Sequence, residues 1–122
     1  AKLAEPDKLC VNIMGDAAIG MVGMDIETAA RNKIGILTIV FNNQIMAIER
    51  KAQPVSSEKY DSLRSGGDYA KVAEALGAWS SRVERPEDFI PALEQAIAVT
   101  KTGQPAVLDC ICKEGYDFSK FS

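Results

Sequence analysis

The stretch from Cys10 to Gln44, CVNIMGDAAIGMVGMDIETAARNKIGILTIVFNNQ, constrains the fold of this chain more than any other. A short apolar run, Leu9 to Met14, stops abruptly at Gly15-Asp16. A second, Ile34 to Phe41, stops at Asn42-Asn43. Between them lies a tight polar turn over Gly15 to Ala18 and a helix-compatible segment from about Val22 to Asn32. Strand, turn, helix and strand make a βαβ unit with polar groups at both strand ends. Ligands of a parallel sheet sit in the crevice outside the carboxyl ends of its strands, so Asp16 and Asn43 are expected to share one crevice.

The chemistry of that pair suits a hard cation. A carboxylate and an amide oxygen, joined by a backbone carbonyl and phosphate oxygens, form a ligand set that Mg²⁺ accepts when it bridges a diphosphate. The small side chains of Gly15, Ala17 and Ala18 let backbone N–H groups approach an anion, and the helix behind them adds a positive dipole end. Asp16 could equally do no more than cap the turn it begins. Two other phosphate motifs fit less well. Gly15 and Gly20 have P-loop spacing, but Met21 and Val22 stand where Lys and Ser or Thr are required. Gly15-x-Ala17-x-x-Gly20 is a degraded dinucleotide fingerprint, and Asn42-Asn43 occupies the place of the acidic residue that would hold a ribose. A nucleotide-binding module is therefore the rival reading from pattern alone.

The rest of the chain continues the alternation. Gln44 to Arg50 could open a helix, and Lys51 to Asp68, with Pro54 and Ser65-Gly66-Gly67, reads mainly as an irregular excursion. Asp68 is a suitable N-cap for a helix from Tyr69 to Leu76, with Gly77 at C′ and Val72, Ala73, Ala75 and Leu76 as its apolar face. A short strand, Ala78 to Val83, precedes a helix that Pro86 opens at N1, with Glu87 and Asp88 in its first turn. Phe89, Ile90, Leu93, Ala96 and Ile97 recur on one face of it. Thr102-Gly103-Gln104-Pro105 stops this helix, and Ala106 to Cys112 closes the chain as a strand before a polar tail, 113–122, dotted with Tyr116, Phe118 and Phe121. The expected architecture is a three-layer α/β/α sandwich on a mainly parallel sheet, one domain over 1–122.

Composition closes off several function classes. A net charge of -3 gives no electrostatic reason to expect nucleic acid. No apolar run approaches the ~18 residues of a membrane-spanning helix, and no signal peptide is visible. With no His, the commonest acid–base group and zinc ligand is missing. Cys10, Cys110 and Cys112 lack CxxC spacing and read as buried free thiols of a cytoplasmic protein.

Gly-Asp-Ala followed by Asn-Asn, with Asn43 twenty-seven positions after Asp16, closely resembles the GDG…NN motif of thiamine diphosphate enzymes. MDIETAARNKIGILTIVFNN resembles that family's helix and second strand. DYAKVAEALGAWSSRVERPEDFIPALEQAIAV resembles the C-terminal half of the same domain in acetolactate synthases and related 2-oxo-acid decarboxylases. The resemblance covers nearly the whole chain. It implies that thiamine diphosphate and Mg²⁺ are the cofactors and that Asp16 and Asn43 bind Mg²⁺ through side-chain oxygens. It further implies that the Ile45 carbonyl completes the protein's share, and that Gly15, Ala17 and Ala18 contact the diphosphate through the backbone. Ala17 departs from the family's usual Gly, so this turn must keep to ordinary backbone conformations. Asn42 is expected to hold the turn, and Asp25 to stand in the first turn of the helix.

NNQIMAIER also resembles the segment of pyruvate and indolepyruvate decarboxylases in which an Ile-Glu pair faces the substrate. Ile48-Glu49 falls in register, which makes Glu49 a catalytic candidate; the alternative is a solvated glutamate beside Arg50 and Lys51. Acetolactate synthases carry apolar residues there, so Glu49 bears on the branch. The glutamate that activates the aminopyrimidine lies, in the family, in a separate N-terminal domain, usually of the partner subunit. The chain begins in what resembles the middle of the diphosphate-binding domain and is expected to be a partial domain, inactive alone. Its parent is expected to be a homodimer or homotetramer acting on a small 2-oxo acid. A non-catalytic module that holds the same cofactor stays open.

Overall fold

Helices and strands alternate in the order β1 (Cys10–Gly15), α1 (Asp16–Val22), α2 (Asp25–Arg31) and β2 (Ile36–Asn42), followed by a 3-10 turn (Ala47–Lys51). Then come α3 (Pro54–Tyr60), α4 (Tyr69–Ala75), β3 (Trp79–Val83), α5 (Pro86–Thr100) and β4 (Ala106–Ile111). This is a computed structural model, and residues 1–115 are described; Tyr116, Phe118 and Phe121 of the expected tail lie outside them.

The strands form one sheet in the order β1-β2-β4-β3, and every neighbouring pair is parallel. Successive side chains of a strand point to opposite faces, and both faces of the inner strands β2 and β4 are covered. On one face Leu37, Ile39, Ala106, Leu108 and Cys110 pack with Ala96 of α5, flanked by Phe89, Leu93 and Ile97. On the other, Val40 and Val107 pack with Ile19 of α1 and Ala73 of α4, flanked by Ile26 of α2 and Tyr69 of α4. The three-layer α/β/α arrangement expected from the alternation is the one observed.

Local signals explain most element ends. The Asp68 side chain accepts from the Lys71 N–H at 3.0 Å and caps α4. At its other end Gly77 adopts φ +91°, the Gly77 N–H donates to Glu74 and the Ala78 N–H donates to Ala73, a Schellman closure that a left-handed glycine permits. Pro86 opens α5 with Glu87 and Asp88 behind it, and Asp25 stands in the first turn of α2.

Several expectations are corrected. The segment after β1 is a helix at once: α1 starts at Asp16, where a turn over Gly15 to Ala18 was expected, and the helical stretch expected from Val22 to Asn32 begins only at Asp25. Asp16, Ala17, Ala18 and Ile19 are compatible with a first turn, and Gly20 continues it inside the helix. The break falls at Gly23, whose N–H donates to the Ile19 carbonyl at 2.7 Å. The excursion 51–68 contains α3, with Pro54 at its start, a position that Pro tolerates because no helical N–H is lost there. Val72 and Ile90 are exposed although both sit on the expected apolar faces, since only Ala70 and Ala73 of α4 reach full burial against the sheet and α5 turns Ala96 inward. β1 is an edge strand, and its Val11 and Ile13 are exposed despite their apolar character. Of the three thiols, only Cys110 is fully buried; Cys10 and Cys112 are half-buried.

Two predictions follow from the packing. Gly35 precedes β2 so close to the end of α5 that a Cβ there would lie 2.0 Å from the Thr100 carbonyl oxygen. Gly35→Ala is expected to lower unfolding stability by about 1–3 kcal/mol in urea titrations, the usual cost of overpacking that only backbone can relieve. The Cys110 thiol is pushed up to about 11 from 9.0, first by burial and then by its neighbours Cys112 and Asp109. The native state therefore keeps a proton that the unfolded chain releases; the stability this confers is full below about pH 9 and is lost as pH rises through about 11. Denaturation midpoints followed across that interval should fall more steeply for the native sequence than for Cys110→Val.

Candidate cofactor site

The carboxyl ends of β1 and β2 lie side by side, with Gly15 in register with Phe41. The chain leaves β1 directly into α1 and leaves β2 into a loop, so residues 15–18 and 43–49 meet above the same sheet edge. Between them is a cleft of about 310 Å³, lined by Gly15, Asp16, Ala17, Ala18, Asn43, Ile45 and Glu49. The structure thus brings the residues expected to hold cation and diphosphate, and Glu49, to one cavity of a size usual for small-molecule sites.

Asp16 is the first residue of α1 and only 2% exposed. One carboxylate oxygen accepts from the Ala17 N–H at 2.7 Å. The other, Oδ2, is buried and has no hydrogen-bond partner among the described residues. A buried acceptor without a donor costs free energy unless something else satisfies it. Ala17 occupies the helix as an ordinary α residue and is not among the positive-φ positions, so the methyl that replaces the family's usual Gly is accommodated.

Across the cleft, the Asn43 side-chain oxygen accepts from the Ile45 N–H at 3.1 Å, an Asx turn that fixes the direction of the loop. Gln44 between them takes φ +60°, the left-handed region that non-glycine residues enter only under constraint. The constraint is visible in the pairing of this loop with the segment before α4. The Ser65 N–H donates to the Gln44 carbonyl at 3.1 Å, the Met46 N–H donates to the Leu63 carbonyl at 2.9 Å, and Ile45 bridges Arg64. The Ala47 N–H donates to the Ile45 carbonyl at 2.9 Å, closing a tight turn at Met46 and leaving that oxygen one further lone pair.

The donors fit a hard divalent cation bound together with an oxyanion. Among the described residues no three His, Cys, Asp or Glu side chains converge. One carboxylate, one amide oxygen and one carbonyl are a modest set, of the kind Mg²⁺ completes with phosphate oxygens and water.

Sequence reasoning placed Ile48 at the site beside Glu49 but missed the rest of its apolar wall. Met21, Phe41 and Met46 also line the cleft, and Phe41, half exposed, is shared with a second, mainly apolar cavity of about 450 Å³ between Val83, Phe89 and Cys110. Met21 was hidden because it fell between the turn expected over Gly15 to Ala18 and the helix expected from Val22; Phe41 was visible only as the end of a strand. Asn42, expected to hold the turn, instead reaches across the fold: wholly buried, it donates to Asp109 Oδ1 at 2.9 Å and to the Gly67 carbonyl at 3.3 Å, and the turn is closed by Asn43. The position where a dinucleotide fold needs an acidic ribose ligand is therefore taken by an amide turned into the protein.

Comparison with known proteins gives the family. The family model described as "Thiamine pyrophosphate enzyme, C-terminal TPP binding domain" matches residues 1–110. A probable acetolactate synthase of Mycobacterium bovis is 34% identical over 113 residues, which is 91% of this chain and 20% of that protein. A sulfoacetaldehyde acetyltransferase of Alcaligenes xylosoxydans xylosoxydans is 34% identical over 118 residues, 92% of this chain and 19% of that protein. The thiamine diphosphate-dependent 4-hydroxybenzoylformate decarboxylase of Rhodococcus jostii RHA1 superposes with a TM-score of 0.76 at 26% identity, covering 98% of this chain and 22% of that one. The chain thus spans about a fifth of the length of the relatives it matches. It belongs to the family of C-terminal thiamine pyrophosphate-binding domains of thiamine pyrophosphate enzymes.

Proposed function

We propose that this domain anchors the diphosphate of thiamine diphosphate through Mg²⁺ in an enzyme that decarboxylates or carboligates small 2-oxo acids, in the manner of acetolactate synthases. The observation that carries the reading is the buried, unpartnered Oδ2 of Asp16 in a cleft that Asn43 and Ile45 also line. Asp16 and Asn43 would supply side-chain oxygens to the cation, and Ile45 its carbonyl. Gly15, Ala17 and Ala18 would border the diphosphate, where the absence of long side chains leaves the backbone open to it. When bound, the cofactor supplies a carbon nucleophile and an electron sink for the carbonyl carbon of the substrate. The chain's own part is to fix the cofactor's charged end, and so its reactive ring, in one place.

Glu49 has a separate role in this reading. It lies on the 3-10 turn, in the same cleft as the cation ligands, where a carboxyl group could hold or move a proton at the substrate. The remainder of the enzyme, including a second subunit, would supply the glutamate that activates the cofactor and would cover the exposed Leu9, Val11 and Ile13 of the β1 edge. On that account the domain alone is inactive. Its relatives' names span synthase, acetyltransferase and lyase activities, all of which this anchoring role can serve.

Two measurements test the reading. Calorimetric titration of thiamine diphosphate into the protein should give binding in Mg²⁺ that EDTA abolishes and that Asp16→Ala loses. Binding that survives both changes, or no binding at all in the assembled enzyme, would contradict it. For Glu49, turnover of the complete enzyme after Glu49→Gln should fall by roughly 10²- to 10⁴-fold, the usual worth of a positioned acid–base group. Near-normal turnover would leave Glu49 as a surface residue.

A further inference from the structure

The carboxylate of Asp109 is wholly buried on the inner strand β4, on the same sheet face as α1 and α4. Its Oδ1 accepts from Asn42 Nδ2 at 2.9 Å. Its Oδ2 accepts from the Tyr69 N–H at 3.1 Å and from Arg82 Nη1 at 3.2 Å. One charged group thus ties the end of β2, the start of α4 and the edge strand β3 together. The connection closes on itself. Asn42 also donates to the Gly67 carbonyl, and residues 44–46 pair with residues 63–65, so the two loops are joined both through Asp109 and directly.

The cleft loop leans on this circuit. Asn43 and Ile45 follow Asn42 immediately, and the left-handed Gln44 between them persists only where its surroundings over-determine it. We propose that Asp109 is a positioning residue: through Asn42 it holds the 43–45 loop in the conformation in which the Asn43 side chain and the Ile45 carbonyl can act together. It touches neither ligand nor cleft itself. This inference rests on the cation-anchoring reading above and assigns a new residue to it.

The test compares Asp109→Asn, Asn42→Ala and the reciprocal exchange Asn42→Asp with Asp109→Asn, beside Asp16→Ala. Asp109→Asn replaces one acceptor oxygen by an NH₂ group, so it cannot accept from Asn42, Tyr69 and Arg82 as the carboxylate does, and the 42–109 bond survives only if Asn42 turns its amide over and gives up the Gly67 carbonyl. The exchange restores the 42–109 bond with donor and acceptor reversed, without the bond to Gly67. Two readouts apply: amide hydrogen exchange at residues 44–46 without cofactor, and calorimetric binding of thiamine diphosphate with Mg²⁺. Asp109→Asn should speed exchange at 44–46 and weaken binding by about 10- to 100-fold, the usual effect of removing a group that orients a metal ligand. The exchange variant should recover part of both. Should Asp109→Asn fail to fold, Asn42→Ala removes the same link while leaving Asp109 its bonds to Tyr69 and Arg82, and the same two changes are expected. Unaltered exchange at 44–46 with unaltered affinity in the folded variants overturns the proposal. If Asp16→Ala binds like the native sequence, the anchoring reading fails instead, and the exchange data alone decide whether Asp109 positions the loop.

Discussion

A carboxylate buried on the inner strand of a parallel sheet is tolerable only when its oxygens are saturated with donors, and Asp109 dictates where those donors stand. Its three partners come from elements far apart in the chain: Asn42 at the end of β2, the first N–H of α4 and Arg82 on β3. Packing of Leu37, Leu108 and Val107 would hold the layers together without it, but apolar packing does not specify the direction of a loop. The polar centre does. Arg82, drawn toward Asp109, also pairs with Glu84, whose hydrogen bond is the main reason its charge is held more firmly than usual. The chain thus spends a buried charge on geometry at the strand ends, where the cleft lies.

Asp16, at the carboxyl end of β1, presents the opposite arrangement. Its carboxylate is nearly as buried, yet half of it faces no donor among the described residues. One buried acid is thus saturated by the fold, and the other keeps an open oxygen, which the proposed anchoring role assigns to a cation. Tyr69, placed between them at the start of α4, registers both; burial first, and then the charges of Asp16 and Asp109, push its hydroxyl above the ordinary tyrosine range.

Much of this was legible in the sequence because it depends on neighbours along the chain. Asp68, Gly77 and Pro86 announce helix ends through their own backbone chemistry, and the two apolar runs that stop at Asp16 and Asn42-Asn43 place a crevice by the topology of parallel sheets alone. What was not legible depends on distance. α1 was masked because the small residues Gly15 to Ala18 suit a tight turn as well as a first helical turn, and the local sequence does not choose between them. Val72 and Ile90 looked like core because helical periodicity gives a face but not the reach of the sheet beneath it. The Asn42–Asp109 bond joins residues 67 positions apart, and no local pattern marks it. Met21, Phe41 and Met46 of the apolar wall were missed for a similar reason, since apolar residues around a polar motif look like ordinary surface until the cleft is seen.

The central claim is that a divalent cation and a diphosphate occupy the cleft above β1 and β2 together. The most direct measurement is anomalous diffraction from crystals of the enzyme grown with thiamine diphosphate and Mn²⁺ in place of Mg²⁺. The account predicts one strong Mn²⁺ peak within bonding distance of the Asp16 carboxylate, the Asn43 side chain and the Ile45 carbonyl, in contact with both phosphates. A peak elsewhere, or cofactor bound with no metal at these three residues, would contradict it.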